Sequence, residues 1–263
     1  MASQLPRAPE ERKPDPSQDD EKTMTILEHL QELRNRLIIC AVTLVITTIL
    51  AFYPITTWVL KWMKKPAEDR VENFDLVFTQ PLEYWTTFFR VSLLVGLALA
   101  MPMILWQFIA YVGPGLTKNE KRWAYPIVIF ASVMFVLGCA FAYYIELPPA
   151  LGFLFSTPGD VADPFISVKA YVDFITRLML VTGLAFELPL VIMGLAKIGL
   201  VTSKRLIGWW RYVIVAVFVI AAIITPSPDP VTQAVVAVPM FVLYILGIVL
   251  AKLVESTPLI PRG

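Results

Sequence analysis

Residues that build soluble catalytic and metal sites are scarce in this sequence. The 263 residues include one histidine and two cysteines, too few ligands for a usual zinc, haem or iron–sulfur centre. Charged residues make up 16% of the chain, whereas soluble domains have about 25%. The 22 basic and 21 acidic residues nearly cancel, so the strong basic field of a nucleic-acid-binding protein is absent. The composition argues against a soluble enzyme, a disulfide scaffold and a DNA-binding protein.

Apolar residues, in contrast, make up 57% of the chain, which indicates an integral membrane protein. A membrane-spanning helix needs roughly 20 apolar residues, and six stretches meet or approach that length. Each is continuously apolar, without the alternation of barrel strands, so the predicted fold is an all-α bundle of six transmembrane helices. The spans are expected at about 37–60, 88–112, 125–147, 178–198, 212–225 and 234–251.

The fifth and sixth spans are predicted to be short, with 14 and 18 residues. Either the bilayer is thinned around this part of the molecule, or polar neighbours such as Trp209 and Trp210 extend the fifth helix into the interface; the sequence leaves both open. Prolines, which bend helices, punctuate the spans at positions 54, 102, 126, 189 and 239. Bent, unequal helices favour a kinked bundle with an open, concave face.

Two tails are predicted to flank a membrane domain at 25–252. Residues 1–24 carry four of the 21 prolines among mixed charges, a composition typical of a disordered tail, and 253–263 form a short polar tail. With six spans both termini share a side, and the loops on that side hold 15 Lys and Arg residues against 7 on the other. The positive-inside rule therefore places both termini in the cytoplasm.

The segment before the first span predicts an amphipathic helix, because leucines recur there at three- and four-residue intervals. Thr25 and Glu28 have the spacing of a capping box, which gives the helix a start. Glu32 has no such task. Periodicity alone favours a simple ion pair between Glu32 and Arg36, four residues later.

A second carboxylate is predicted on the same side of the membrane, in the loop after the second span. Gly113, Pro114 and Gly115 must break the helix there, and Thr117 and Glu120 again have capping-box spacing. Glu120 therefore has a structural explanation too. Two carboxylates at one membrane surface are nevertheless suited to bind two guanidinium groups through forked, charge-assisted hydrogen bonds.

Glu187 is expected near the centre of the bilayer, as the tenth residue of the 21-residue run 178–198. A charge at that depth costs about 2.5–3.5 kcal/mol on insertion scales. The acid is therefore either neutral or in contact with a polar partner or water, and it is the one strong acid expected near the midplane. A functional role is the default for such a residue.

Four short motifs occur in an order and spacing that resemble the TatC family, the multi-span receptor subunit of the twin-arginine protein translocase. The resemblance runs from about Met24 to Lys252. It rests on E-H-L-Q-E-L-R at 28–34, P-G-L with a following Glu at 114–120, F-E-L-P at 186–189, and T-P-S-P-D with a following Gln at 225–233.

This resemblance implies a glove-like cup of six helices in the cytoplasmic (inner) membrane, with a role in recognising the paired-arginine signal peptides of folded precursor proteins. It also implies assembly with TatA- and TatB-type single-span partners, a homo-oligomer in the complex, and energy from the proton-motive force. No enzymatic activity, cofactor, metal or nucleic-acid partner is expected. The lipid bilayer is expected to be a partner of the chain.

The resemblance also implies roles for individual residues. Glu32 and Glu120 match the glutamates that bind the paired arginines. Arg34 and Tyr111 match further signal-peptide positions, with Tyr111 where the family more often has phenylalanine. Glu187 matches the polar position implicated in contacts with TatA and TatB. Positions with roles in the loops are Pro66, Pro114, Gly115, Leu116, Asp229 and Gln233.

Two other functional classes compete with this interpretation. A proton-coupled secondary transporter using Glu187 would have inverted repeats and broken helices at the midplane, and no repeat is visible. An intramembrane hydrolase is disfavoured, because the single histidine, His29, lies in the predicted cytoplasmic helix and no G-x-S-x-G or H-E-x-x-H motif occurs. The sequence also lacks an ATP-binding loop.

Overall fold

The chain folds into helices throughout the part that the computed structural model describes, which comprises residues 26–68, 77, 79–112, 118–155, 167–197, 199–225 and 229–255. Apart from one β-bridge between Val77 and Ser167, these residues form nine α-helices and a π-helical turn, which confirms the all-α class. The helices are α1 (Ile26–Ala51), α2 (Pro54–Glu68), α3 (Glu83–Val112), α4 (Lys118–Phe141), α5 (Leu147–Phe155), α6 (Val168–Lys197), α7 (Ser203–Gly208), α8 (Trp210–Ile224) and α9 (Pro230–Glu255).

Within the described residues, five segments are long and apolar enough to cross a membrane: α1, α3, the continuous rod from α4 through α5, α6 and α9. These five apolar segments agree with the prediction of an integral membrane protein. The remaining apolar helix, α8, has 15 residues, about 22 Å, as expected of a short fifth span. A count of six spans therefore depends on whether α8 also crosses.

The prediction of a short sixth span is wrong. Helix α9 has 26 residues, about 39 Å, because it begins before and ends after the apolar stretch 234–251. Pro230 stands at its first position, where a missing N–H costs nothing, and Asp229 precedes it as a cap. Lys252 and Glu255 continue the helix as polar residues beyond the apolar stretch.

The first apolar run, 37–60, was expected to form one span but is divided between two helices. Helix α1 ends at Ala51 and α2 begins at Pro54, so this proline starts a helix instead of bending one. The buried hydroxyl of Thr56 donates to the carbonyl of Ala51 at 2.9 Å and also contacts Ser92 Oγ at 2.9 Å. These bonds hold the start of α2 against α1 and α3.

Helix α6 is the centre of the bundle and packs against α3, α4 and α9. It approaches α4 closely where a Cβ built on Gly138 would lie 2.8 Å from the Cα of Gly183. Only glycine permits two helix backbones to come this near. The core around this crossing is filled by the largest fully buried apolar side chains, among them Phe135, Leu147, Leu151, Ile175 and Leu178.

Helix α1 lies at the side of the bundle, packed along α3. Gly96 of α3 leaves room for Thr48, whose Oγ1 would lie 2.4 Å from a Cβ at that position, and Thr47 Oγ1 donates to the Gly96 carbonyl at 2.8 Å. Most other side chains of α1 are exposed on the isolated chain. These contacts of Thr47 and Thr48 with Gly96 fix how far α1 is shifted along α3.

The antiparallel packing of α1 on α3 gives the bundle two distinct ends. The first end is where α1 begins and α3, α6 and α9 end; the second end is where α3, α6 and α9 begin. The predicted tails, 1–24 and 253–263, fall wholly or mostly outside the described residues. Which end faces the cytoplasm stays a prediction.

Candidate functional site

The site predicted around Glu32 lies at the first end of the bundle, on the opening turns of α1. Glu32 is half-buried, and the Arg36 guanidinium one turn later donates to its Oε1 twice, from Nε at 2.9 Å and from Nη2 at 2.5 Å. The ion pair expected from the four-residue spacing is therefore present. Arg34, between them in sequence, is exposed.

Helix α3 supplies a further polar contact to this pair, near the point where it ends. The third guanidinium nitrogen of Arg36, Nη1, donates to Gln107 Oε1 at 3.0 Å. Gln107 is 8% exposed. Tyr111 follows it by four residues on the same face of α3 and is half-buried. The structure thus brings Glu32 together with the helix face that carries the predicted Tyr111, although the two residues are 79 positions apart.

One oxygen of Glu32 is left over in this arrangement. Oε2 is buried and has no hydrogen-bond partner among the residues that the structure describes. A buried carboxylate oxygen without a donor costs about 1–3 kcal/mol or more. This position is therefore suited to accept an additional N–H group.

The second predicted carboxylate, Glu120, falls in the first turn of α4, but its side chain lies outside the described residues. The same holds for the whole of Pro114, Gly115 and Leu116. The convergence of Glu32 and Glu120 is thus neither supported nor contradicted by the geometry, and it stays a prediction.

The other predicted loop residues lie at the second end, away from Glu32. Pro66 is half-buried within α2. Asp229 caps α9, since its Oδ1 accepts the Thr232 N–H at 2.7 Å and its carbonyl accepts the Gln233 N–H at 3.3 Å. Gln233 is half-buried in the first turn of α9. These residues shape the second end and do not contribute to the site around Glu32.

Glu187 is buried within the bundle but is not at the midpoint of its helix. Helix α6 begins at Val168, well before the predicted start at 178, so Glu187 is the twentieth of 30 residues and lies about 7 Å past the midpoint towards the first end. The side chain is 5% exposed, and neither oxygen has a hydrogen-bond partner of normal geometry within the described residues. It lies one turn after Gly183, on the face of α6 that meets α4.

A second buried acid, Glu146, lies at the level of the midpoint of α6, where Glu187 was expected. It is 1% exposed, and its Oε2 accepts the hydroxyl of Thr182, at the midpoint of α6, at 2.7 Å. Its Oε1 has no partner in the described part of the chain. The expectation that Glu187 is the one strong acid near the midplane is therefore wrong.

Glu146 was missed because the third span was taken to end beside it, at the prolines that follow. The chain instead passes through a π-helical turn, Ala142–Glu146, in which the Leu147 N–H bonds to the Ala142 carbonyl. Pro148 and Pro149 lack the N–H groups that would continue regular α-helix, and a π turn accommodates this. The signal was present in the sequence, because the apolar pattern resumes directly after the prolines.

A third acid that the sequence did not single out, Glu83, organises the second end. Its Oε2 accepts from Thr79 N at 2.6 Å, Thr79 Oγ1 at 2.8 Å and Gln80 N at 3.1 Å. Its Oε1 accepts from Ser167 Oγ and from Lys169 N, the latter at 2.8 Å. This carboxylate ties the start of α3 to the start of α6.

Comparison with known proteins places these features in a family. A family model described as Sec-independent protein translocase protein (TatC) matches residues 28–239 of the chain. The chain belongs to the TatC family. It is therefore a component of a Sec-independent protein translocase, and the secondary-transporter alternative is not favoured.

Individual TatC proteins match most of the length of this chain. The TatC protein of Helicobacter pylori (strain J99) is 38% identical over 232 residues, which cover 88% of this chain and 90% of that protein. The chloroplastic TATC protein of Arabidopsis thaliana is 36% identical, with 94% of this chain and 76% of that protein covered. A crystal structure of a twin-arginine translocase receptor, TatC, superposes with a TM-score of 0.78 at 38% identity, covering 86% of this chain and 99% of that one.

Proposed function

We propose that the chain is the signal-peptide receptor of a twin-arginine protein translocase. In this proposal it spans the cytoplasmic (inner) membrane six times, with α8 as the short fifth span, and forms a cup whose first end and both termini face the cytoplasm. Membership of the TatC family and the likeness to a twin-arginine translocase receptor support this role. The excess of Lys and Arg predicted on that side supports the orientation.

The observation that carries the proposal is the half-buried carboxylate of Glu32, whose Oε2 has no hydrogen-bond partner among the described residues. A guanidinium is the natural complement, because its planar donors match carboxylate oxygens better than an ammonium does. Glu32 binds one arginine of the pair and Glu120 the other. Arg34 and Tyr111 contact the rest of the peptide.

Glu187 has a separate task in the proposed complex. Its carboxyl, without a hydrogen-bond partner of normal geometry in the described chain, accepts polar groups from the transmembrane helix of a TatA- or TatB-type partner. Such contacts between helices in lipid contribute about 0.6–2 kcal/mol each, enough to favour assembly without making it permanent. Because Glu187 is 5% exposed, the side chains that cover it must move when the partner docks. Several copies of the chain assemble with these partners.

The receptor role is tested by photocrosslinking the purified chain to a signal peptide with paired arginines and to the same peptide with paired lysines. We expect Glu32→Ala and Glu120→Ala each to reduce crosslinking of the arginine peptide about tenfold or more, since each removes a charge-assisted contact. Glu68→Ala is the matched control, because Glu68 is an exposed glutamate paired with a basic residue four positions away. Undiminished crosslinking in both site variants would contradict the assignment.

A further inference from the structure

The hold of Arg36 on Glu32 is one-sided. Arginine and carboxylate often pair through two parallel hydrogen bonds, one to each oxygen. Here both donors from Arg36, Nε and Nη2, go to the same oxygen, Oε1, and Oε2 receives none from the residues that the structure describes. Only one of the two carboxylate oxygens of Glu32 therefore takes part in the ion pair.

Arg36 is itself fixed from a second direction. Its remaining nitrogen, Nη1, donates to Gln107 Oε1 on α3, so all three guanidinium nitrogens are engaged. Gln107 is almost fully buried in turn, and its amide nitrogen lies 4.0 Å from Met103 Sδ. The carboxylate of Glu32 is thus oriented by a chain of contacts that begins on a different helix.

We propose that Arg36 and Gln107 are positioning residues that orient the Glu32 carboxylate so that Oε2 keeps its hydrogen-bonding capacity for one guanidinium of the signal peptide. This inference rests on the proposed receptor function. Arg36 shows the geometry of the second contact, since its planar group straddles a single oxygen with two N–H groups. Because Oε2 is buried, the side chains that cover it must move when the peptide docks. An incoming arginine then straddles Oε2 in the same way, and the carboxylate is shared between two guanidinium groups.

The contacts argue against the opposite role, in which Arg36 competes with the peptide for Glu32. A side chain that blocked Glu32 until the peptide displaced it would be expected to bind both carboxylate oxygens. It would also be expected to have no further hydrogen bond that keeps it in place. Arg36 leaves Oε2 free and is retained by Gln107. Preorganising a binding group in this way raises affinity by reducing the ordering cost on binding.

The test measures the affinity of the full-length chain, reconstituted in lipid nanodiscs, for fluorescent signal peptides with paired arginines and with paired lysines. Removing a charge-assisted contact predicts that Arg36→Ala weakens arginine-peptide binding about tenfold and lowers the ratio of the two affinities. We expect Arg36→Lys to recover part of the loss, because it keeps the charge but not the planar fork. Gln107→Leu weakens binding by roughly threefold, as loss of one hydrogen bond predicts, and adds nothing to Arg36→Ala.

Lys64→Ala provides the matched control, because Lys64 forms the same kind of four-residue ion pair with Glu68 on α2; its affinities stay at the wild-type level. Tighter or unchanged arginine-peptide binding by Arg36→Ala would overturn the proposal, as would an unchanged affinity ratio or additive losses in the double variant. If Arg36→Ala fails to fold, Arg36→Lys and Gln107→Leu carry the same comparison.

Glu32→Gln separates this inference from the proposed function. If Glu32→Gln loses arginine-peptide binding while Arg36→Ala and Gln107→Leu keep it, the receptor role stands and the positioning role is wrong. If Glu32→Gln binds as well as the wild type, the receptor assignment of Glu32 is wrong, and the positioning role falls with it.

Discussion

The second end of the bundle and its interior both contain buried glutamates, but the two regions treat them differently. At the second end Glu83 is 2% exposed and accepts five hydrogen bonds. In the interior, Glu146 is 1% exposed with one hydrogen bond, and Glu187 is 5% exposed with none of normal geometry in the described chain. The exposed fractions are therefore nearly the same in the three cases, although Glu83 lies at an end of the bundle and the other two lie in its interior. The supply of donors differs with that position.

This difference separates two uses of a buried acid. A carboxylate surrounded by donors stabilises the fold, because the donors compensate for the water it has lost. A buried carboxyl without donors makes the isolated chain less stable, so its presence points to a task that the isolated chain does not perform. The comparison predicts different effects on stability when each glutamate is replaced.

The largest loss of stability is expected from Glu83→Gln. Glutamine replaces one of the two carboxylate oxygens with an NH₂ group. That group then faces either the Thr79 N–H or the Lys169 N–H, each of which has an oxygen acceptor in the wild type. We expect the melting temperature of the purified chain in detergent to fall by roughly 5–10 °C, on the usual relation between lost interactions and melting temperature. Glu68→Gln, at an exposed glutamate of α2, should change it by about 1 °C or less.

A smaller loss is expected from Thr182→Val, which keeps the shape of the side chain but removes the hydroxyl bonded to Glu146. A polar bond between helices in lipid contributes about 0.6–2 kcal/mol, which corresponds to about 1–4 °C in melting temperature for a chain of this size. Thr182→Ser should retain most of the wild-type stability. If Thr182→Val has the same melting temperature as the wild type, the hydrogen bond from Thr182 to Glu146 does not contribute to stability.

The smallest effect on stability, and the opposite sign, is expected from Glu187→Leu. Because no described group satisfies the carboxyl, leucine removes a cost and leaves the melting temperature unchanged or raises it by about 2 °C. Co-purification with TatA- and TatB-type partners should decrease, while crosslinking to the arginine peptide persists. A marked fall in melting temperature would show that Glu187 has a partner within the chain; loss of peptide binding with normal assembly would reverse its proposed role.

The apolar stretches of the sequence predicted where helices pass through the membrane better than where they end. Hydropathy follows the apolar centre of a helix, whereas ends are set by caps and turns with few residues. Asp229 and Pro230 start α9 before its apolar stretch, and Pro54 starts a new helix inside one. The same limitation shifted the expected start of α6 and hid the place of Glu146.

The candidate site divides in the same way between local and distant contacts. The pair of Glu32 and Arg36 could be predicted because its members are four residues apart on one helix. The contact of Arg36 with Gln107 joins residues 71 positions apart, and that of Glu83 with Ser167 joins residues 84 apart. No periodicity encodes such pairs; they depend on how α1, α3 and α6 pack.

The π turn at Ala142–Glu146 also determines which way the end of its rod faces. Each α-helical residue rotates the chain by about 100°, and a π turn accommodates one residue more than an α turn does. Side chains before and after it therefore follow two different angular registers within one continuous rod. The direction in which α5 presents its side chains is thus decided at this turn, where the rod packs against α6.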